Sequence, residues 1–338
     1  MLKVGLIGAG FMGGMHLACY QALAADGVKI TAIADLVDEK AKAAIEKTGA
    51  IRYANGLELI EKADVDIIDI CLPTYLHTRH AVAAMRKGRA VFIEKPVCIN
   101  KEEGELLLET EKETGVPVMV GQCLRLWTEY AWLKETVDSK VYGDVVTGAL
   151  KRISPLPTWA WENWLHKPEC SGTVALDMHI HDVDIIRYIL GEPKDVASIA
   201  SRDNSGVIQQ MFTTYTFDKA LVSAEVCWDY PASFPFCMEY RIKFEKATAV
   251  FNSMSSPSLV VYLQSGGSIV PEFEKEFEGE NNLGGNVSSL GGYYNELKYF
   301  TQRIKERKPL AVAPLSEGVR SVLLDLKEIQ IAGGLVKK

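Results

Sequence analysis

The chain has 338 residues, enough for two domains with a core in each, and its 48% apolar content is ordinary for a globular protein. Lys and Arg number 37 against 44 Asp and Glu, a net charge of −7 with no basic block, which argues against nucleic acid or an anionic membrane surface as partner. No apolar run approaches a membrane span, the chain opens directly on a core strand with no secretory leader, and its cysteines (19, 71, 98, 123, 170, 227 and 237) form no CxxC, so a cytoplasmic protein with reduced thiols is expected.

Val4 to Ile7 is a short apolar run of the kind that makes a buried parallel strand. Gly8-Ala9-Gly10-Phe11-Met12-Gly13 follows, and Met15, Leu17, Ala18, Cys19 and Leu23 then recur at a helical period. Strand, glycine turn and helix in that order are the setting in which GxGxxG binds a dinucleotide. Gly8 permits the turn, Gly10 lets the backbone approach a pyrophosphate, and Gly13 lets the helix lie against the strand. The first N–H groups of the helix make an anion seat. Gly8, Gly10, Phe11, Met12 and Gly13 are therefore candidate cofactor residues. A second strand, Lys29 to Ala34, ends in Asp35, whose carboxylate can accept both ribose hydroxyls and would repel a 2′-phosphate. Leu36, Val37 and Asp38 follow rather than Arg or Lys, which favours NAD over NADP.

Val65 to Leu72 is a buried strand ended by Pro73-Thr74, and His77 to Lys87 is a helix with Gly88 just beyond it. Ala90 to Glu94 is a strand stopped by Pro96. Asn100 caps a helix from Lys101 to about Thr114, Gly115 ends it, and Pro117 to Gly121 is one more strand. This alternation predicts an α/β Rossmann dinucleotide-binding domain over residues 1–122, a parallel sheet with helices on both faces. Ligands bind beyond the carboxyl ends of such strands, where Asp35, Pro73, Thr74, Glu94, Lys95, Pro96 and Gln122 fall on one rim.

Residues 123–338 read as an α+β domain with a largely antiparallel sheet. Trp127 to Val137 looks helical and Asp144 to Ile153 a strand. Pro155 to Ser171 is a long loop holding Trp159, Trp161, Trp164, His166 and Cys170. Asp177 to Leu190 is a helix closed by Gly191 and Pro193. The runs Val207–Phe217, Leu221–Tyr230, Phe236–Phe251 and Leu259–Leu263 predict an antiparallel meander. One face would pack on the Asp177 helix; the other would meet a second subunit or be covered within the chain, so a homodimer or homotetramer through this sheet is expected. Gly279 to Gly292 reads as a mobile glycine- and asparagine-rich segment. Helices over Tyr293–Lys305 and Ser316–Ala332 close the chain, the last able to pack back on the first domain.

Two stretches carry candidate chemistry. Lys95, just past a buried strand, is either a solvated strand end or, beside the nicotinamide, an amine whose pKa a neighbouring cation and partial desolvation lower toward a proton-handling role. On a helix, Asp177, His181 and Asp184 share a face at i, i+4 and i+7, and a carboxylate one turn before an imidazole can orient it and stabilise its charged form. Asp177, His179, His181, His166 and Cys170 are possible metal ligands, but His179 and His181 diverge on a helix and no HExxH or paired CxxC supports them. No metal is assigned.

Taken together, GAGFMG, Asp35, Leu72-Pro73-Thr74 with His77, Glu94-Lys95-Pro96 and Asp177-x-x-x-His181-x-x-Asp184 resemble the glucose-fructose oxidoreductase / inositol dehydrogenase / rhizopine-catabolism (Gfo/Idh/MocA) family over nearly the whole chain. The resemblance implies a two-domain oxidoreductase whose Rossmann domain binds NAD(P) and whose C-terminal domain, residues 123–338, carries an open-faced antiparallel sheet and serves substrate binding and oligomerisation. It implies that Lys95 binds the reacting hydroxyl, His181 exchanges its proton and Asp177 orients the site. Leu72, Pro73, Thr74, His77, Glu94, Lys95 and Gln122 join the expected cofactor residues, and Arg125 and Trp164 join Lys95, Asp177 and His181 as expected substrate residues. The implied reaction is hydride transfer between NAD and a secondary hydroxyl of a sugar, cyclitol or glycoside. The alternatives are NAD-assisted glycoside cleavage by oxidation and elimination, or a non-catalytic NAD-binding sensor. The chain departs from the family in its Trp159, Trp161 and Trp164 loop, which would either stack on a sugar ring or pack between domains, and in carrying only Arg125 where many members have Arg-Arg-Phe.

Overall fold

The computed structural model describes residues 1–273 and 290–336. In chain order the first elements are β1 (Leu2–Ile7), α1 (Phe11–Ala22), β2 (Val28–Ala34), α2 (Asp38–Thr48), β3 (Ile51–Tyr53), α3 (Gly56–Lys62), β4 (Ile67–Ile70) and α4 (His77–Arg86). Then come β5 (Ala90–Glu94), α5 (Lys101–Thr114), β6 (Val118–Gly121), α6 (Thr128–Ser139), β7 (Val145–Pro155), α7 (Pro168–Ser171) and α8 (Ile180–Leu190). The remainder is β8 (Asp195–Arg202), β9 (Ile208–Thr216), β10 (Leu221–Tyr230), β11 (Cys237–Phe244), β12 (Ala247–Asn252), β13 (Leu259–Leu263), β14 (Ser268–Ile269), α9 (Gly291–Glu306) and α10 (Leu315–Ile331). No helix among the described residues is long and apolar enough to cross a membrane.

The chain divides into two compact units. One takes Met1–Trp127 and the described part of Glu276–Arg320; the other takes the described parts of Thr128–Lys275 and Ser321–Lys338. The division falls after Trp127, where a boundary at residue 122 was expected, and α9 and the start of α10 belong with the first unit.

In the first unit the sheet order is β3-β2-β1-β4-β5-β6, with every pair parallel. Strands β4, β5 and β6 are buried at every position, as strands covered on both faces must be. On one side α1 and α9 complete the core, where Phe92 and Phe300 meet edge to face at 5.4 Å. The helix ends are local chemistry: the Asn100 side chain accepts the Glu103 N–H at 2.9 Å, and Gly115, at φ 65°, closes α5.

In the second unit the order is β14-β13-β12-β11-β7-β10-β9-β8. The sheet is antiparallel except that β7 lies between β11 and β10 and runs parallel to β10. The expected meander is therefore a mixed sheet, interrupted at its centre by a strand from earlier in the chain. Phe236–Phe251 is a hairpin, β11 and β12, that turns at Glu245-Lys246; without glycine or proline there, the turn carries no local signal. Residues 155–171 are not one open loop: Trp161–His166 forms a 3₁₀ turn and α7 follows. The Asp177 helix is also corrected. Val174–Met178 is a π-helical turn, and the α-helix begins at Ile180. Val196, Ser198, Met211, Thr213 and Tyr215 lie on the buried face of β8 and β9, while Ile199, Phe212, Leu221 and Tyr262 stay exposed. The expected mobile stretch from Gly279 falls mostly outside the described residues; its last two residues, Gly291 and Gly292, open α9.

Candidate active site

The glycine turn of the first unit is shaped by close approach. Gly8 has φ 92°, and a Cβ there would stand 2.3 Å from the Cys71 carbonyl oxygen. A Cβ on Gly13 would stand 1.9 Å from the Gly8 carbonyl oxygen, so α1 and the turn touch backbone to backbone. Gly10 is different: the nearest atom to a Cβ there is Lys40 Nζ, at 3.9 Å. Nothing in the fold needs that volume, and it lies at the N-terminus of α1, where no side chain caps the helix. An anionic bridge fits there. Asp35 sits alongside, its Oδ2 accepting the Ala9 N–H at 2.6 Å and its Oδ1 the Val37 N–H at 2.7 Å. At the ends of β4 and β6, Thr74 Oγ1 and Gln122 Nε2 are buried and have no hydrogen-bond partner among the described residues. These residues fit a dinucleotide laid across the carboxyl end of the sheet. Phe11, Met12, Leu72 and Pro73 are half-buried around the same edge. Lys40 escaped the sequence reading because it lies five residues past Asp35, on α2; only the folded helix returns it to the turn.

Two expected cofactor residues are engaged by the protein itself. His77 is fully buried, and its ring nitrogens face the carbonyl oxygens of Pro96 and Leu72 at 2.8 and 2.7 Å. Burial pushes its imidazole down to about 4 against the pull of those carbonyls. As a neutral ring it donates to one of the two carbonyls, and it sits between the loop after β4 and the loop after β5 with both ring nitrogens turned to protein oxygens. Glu94 also points inward: Oε1 meets His16 Nε2 at 3.0 Å, and Oε2 accepts the Lys95 N–H at 3.1 Å. His16 Nδ1 meets Asp69 Oδ2 at 2.9 Å. Burial opposes charge on His16, but the carboxylate of Asp69 and the bonds around the ring outweigh it and hold the imidazole well above its ordinary value. Glu296, deeply buried and near Glu94, is pushed well above the usual carboxylate range. Lys95 itself is half-buried at the end of β5. Arg125, expected at the substrate, is buried and pairs with Glu317 at 3.8 Å.

In the second unit the structure sorts the ionisable residues from 177 to 184. His179, Asp182 and Asp184 are buried. His179 Nε2 meets Glu328 Oε2 at 2.8 Å, Asp182 takes both Nε and Nη2 of Arg152, and Asp184 Oδ1 accepts from Ser321 Oγ at 2.7 Å. Asp184 thus leaves the acid–His–acid face expected from spacing. Asp177 and His181 remain half-exposed. Asp177 is presented by the π turn, which follows Gly172 in the left-handed region and Thr173 at φ 58°, and His181 by the first turn of α8. Irregular turns of this kind recur at functional sites. Trp159 and Trp161 are exposed, Trp164 is half-buried, and His166 Nε2 closes their loop on the Pro157 carbonyl at 2.7 Å.

A glycine-turn Rossmann sheet with a carboxylate closing its second strand, followed by a mostly antiparallel sheet unit, defines a dinucleotide-binding architecture. The chain belongs to the Gfo/Idh/MocA oxidoreductase family: residues 2–122 match its NAD-binding Rossmann fold and residues 130–250 its C-terminal domain. Among curated proteins it is 30% identical to a myo-inositol 2-dehydrogenase of Thermotoga maritima over 192 residues, 56% of this chain and 55% of that one. It is 25% identical to a scyllo-inositol 2-dehydrogenase (NAD(+)) of Bacillus subtilis over 325 residues, 91% of this chain and 87% of that one. The chain spans about half the length of most of the curated relatives it matches. A solved levoglucosan dehydrogenase, in complex with NADH and levoglucosan, superposes with a TM-score of 0.84 at 21% identity over 98% of this chain and 97% of that one, a likeness of fold.

Proposed function

We propose that the protein is an NAD-dependent dehydrogenase acting on a secondary hydroxyl of a sugar, cyclitol or glycoside. The observation that carries the reading is the sorting of residues 177–184. Three ionisable side chains are buried with bonded partners, while Asp177 and His181 are left half-exposed one helical step apart. NAD, when bound, supplies the hydride acceptor. His181 takes the hydroxyl proton. Asp177 orients the imidazole and stabilises its charged form. Lys95 donates to the alcohol oxygen as negative charge gathers on it, a placement worth about 10²–10³-fold in rate. Relatives named as inositol dehydrogenases, and a levoglucosan dehydrogenase 28% identical over 213 residues, support a hydroxylated ring as substrate. The half-buried Trp164 offers an apolar surface to the ring face. The test is a panel of sugars and inositols read by absorbance of reduced nicotinamide. Lys95→Ala and His181→Ala should each remove most turnover and leave NAD binding largely intact; full activity in both variants rejects the assignment.

A second reading has its own support. A relative from Escherichia coli, 27% identical over 206 residues, is a 2,7-anhydro-N-acetylneuraminate hydratase. The same residues would then serve a redox-neutral route, seen as product without net NADH. The outer face of the second sheet, with Ile199, Phe212, Leu221 and Tyr262 exposed, supports a homodimer or homotetramer through that face. Free cysteines throughout the described chain support a cytoplasmic setting.

A further inference from the structure

We propose that His179, Asp325 and Glu328 form a closed structural site for one divalent first-row transition-metal ion, of the zinc or manganese type. All three side chains have zero exposure. Asp325 and Glu328 lie at i and i+3 on α10, and His179 sits at the start of α8, so the site joins two helices of the same unit. One nitrogen or oxygen from each of the three side chains lies within 4.8 Å of the others. Metal bonds to imidazole and carboxylate run at about 2.0–2.2 Å, so donors on one ion stand roughly 3–4 Å apart, and a small closure completes the set. The 2.8 Å contact of His179 Nε2 with Glu328 Oε2 is a hydrogen bond that the ion would replace, the pair opening to roughly 3 Å or more. Tyr215 donates its hydroxyl to the same Glu328 oxygen at 3.0 Å, an outer bond that orients the carboxylate.

The argument rests on what remains without a partner. Both oxygens of Asp325 and Oε1 of Glu328 are buried and have no hydrogen-bond donor among the described residues. Asp182, whose charge also reaches Tyr215, is already neutralised by Arg152. A divalent cation, two carboxylates and a neutral imidazole sum to zero charge, which a site sealed from water requires. The other buried carboxylate cluster, around His16, differs in this respect. There the imidazole engages Asp69 and Glu94 through both nitrogens and carries the positive charge itself. One imidazole and two carboxylates suit zinc or manganese better than magnesium or calcium, which prefer oxygen alone.

The full chain, purified without chelator and dialysed into metal-free buffer, should carry one such ion by elemental analysis. After stripping with a chelator, Zn²⁺ or Mn²⁺ alone should raise Tm and saturate at one equivalent. Asp325→Asn keeps the shape and removes the charge, and should abolish the stoichiometric uptake. Absence of both bound ion and Tm shift in the unmodified protein overturns the proposal, as does equal uptake by Asp325→Asn. The measurements on the unmodified protein decide the question even if the variant does not fold.

Discussion

Glu94 Oε1 stands 3.0 Å from His16 Nε2, while the other oxygen of the same carboxylate accepts the Lys95 N–H. The side chain beside the proposed donor amine is thus part of a buried network, not part of the open rim. Removing the imidazole would leave Asp69 and Glu94 facing each other's surroundings without a cation. His16→Leu should lower unfolding stability by about 3–5 kcal/mol, the usual cost of breaking a buried ion pair. Denaturant titration checks it; a loss within the range of an ordinary surface change would show that the network holds no buried ion pair.

The same network sets a pH dependence. His16 is held above 6.5, so from about that pH upward the folded chain keeps a proton that the unfolded chain has released. Its stabilisation is complete below 6.5 and is lost as pH rises toward the folded value. Glu296, also raised, acts in the same direction from about 4.5. Above 6.5, His16 should contribute a slope approaching 1.4 kcal/mol per pH unit, roughly one proton's worth. Midpoints of unfolding followed with pH should show that slope in the parent and in Glu296→Gln, and lose it in His16→Gln.

Two neighbouring glycines should respond oppositely to alanine. Gly10→Ala places a methyl in open space, with only Lys40 Nζ near it, so Tm should hold while NADH affinity falls at least tenfold, about 1.4 kcal/mol or more. Gly13→Ala drives a methyl into the Gly8 carbonyl, so stability itself should fall by about 1–3 kcal/mol or more. Thermal melts beside NADH fluorescence titrations separate the two. Equal loss of Tm in both would remove Gly10 from the cofactor cradle.

Asp35 is held by two main-chain N–H groups and aimed at the glycine turn. Asp35→Ala should weaken NAD by about 1.5–3 kcal/mol, the worth of a charged hydrogen bond, and narrow its advantage over NADP. Lys40→Ala should weaken both dinucleotides by similar factors, because its amine stands 3.9 Å from where a Gly10 Cβ would be, the volume proposed for the pyrophosphate. Equal affinity of the unmodified protein for NAD and NADP would contradict the role given to Asp35.

Asp177 and Asp184 should separate chemistry from stability. Asp177→Asn is expected to lower kcat with little change in Tm. Asp184→Ala should cost about 1–3 kcal/mol of stability, because it strips a buried acceptor from Ser321. Paired kinetics and melts check this, and a reversal would move the carboxylate of the site from residue 177 to 184.

The first unit was legible because its signals are local. Ala90–Glu94 and Lys101–Thr114 were delimited to the residue by Pro96, Asn100 and Gly115. The second sheet was less so, because the placement of β7 between β10 and β11 is decided by pairing across some seventy-five to a hundred residues. The π turn at Asp177 follows from Gly172 and Thr173 in strained backbone, which side-chain periodicity does not report. The buried clusters left a trace that went unread. Asp69 interrupts Ile67-Ile68-Asp69-Ile70, and His16 lies between Met15 and Leu17. An ionisable residue inside an apolar run must find a partner, but only the fold names it.

The buried side of α10 carries Ser321, Asp325 and Glu328 among the aliphatic Val319, Val322, Leu324 and Ile329. Ser321 is pegged to Arg187 and Asp184, and two turns further on Glu328 is pegged to His179 and Tyr215. An oily stripe tolerates sliding by one turn, since one aliphatic residue replaces another. Here such a slip would strand an acid against hydrocarbon, so the end of this helix has a single permitted longitudinal position.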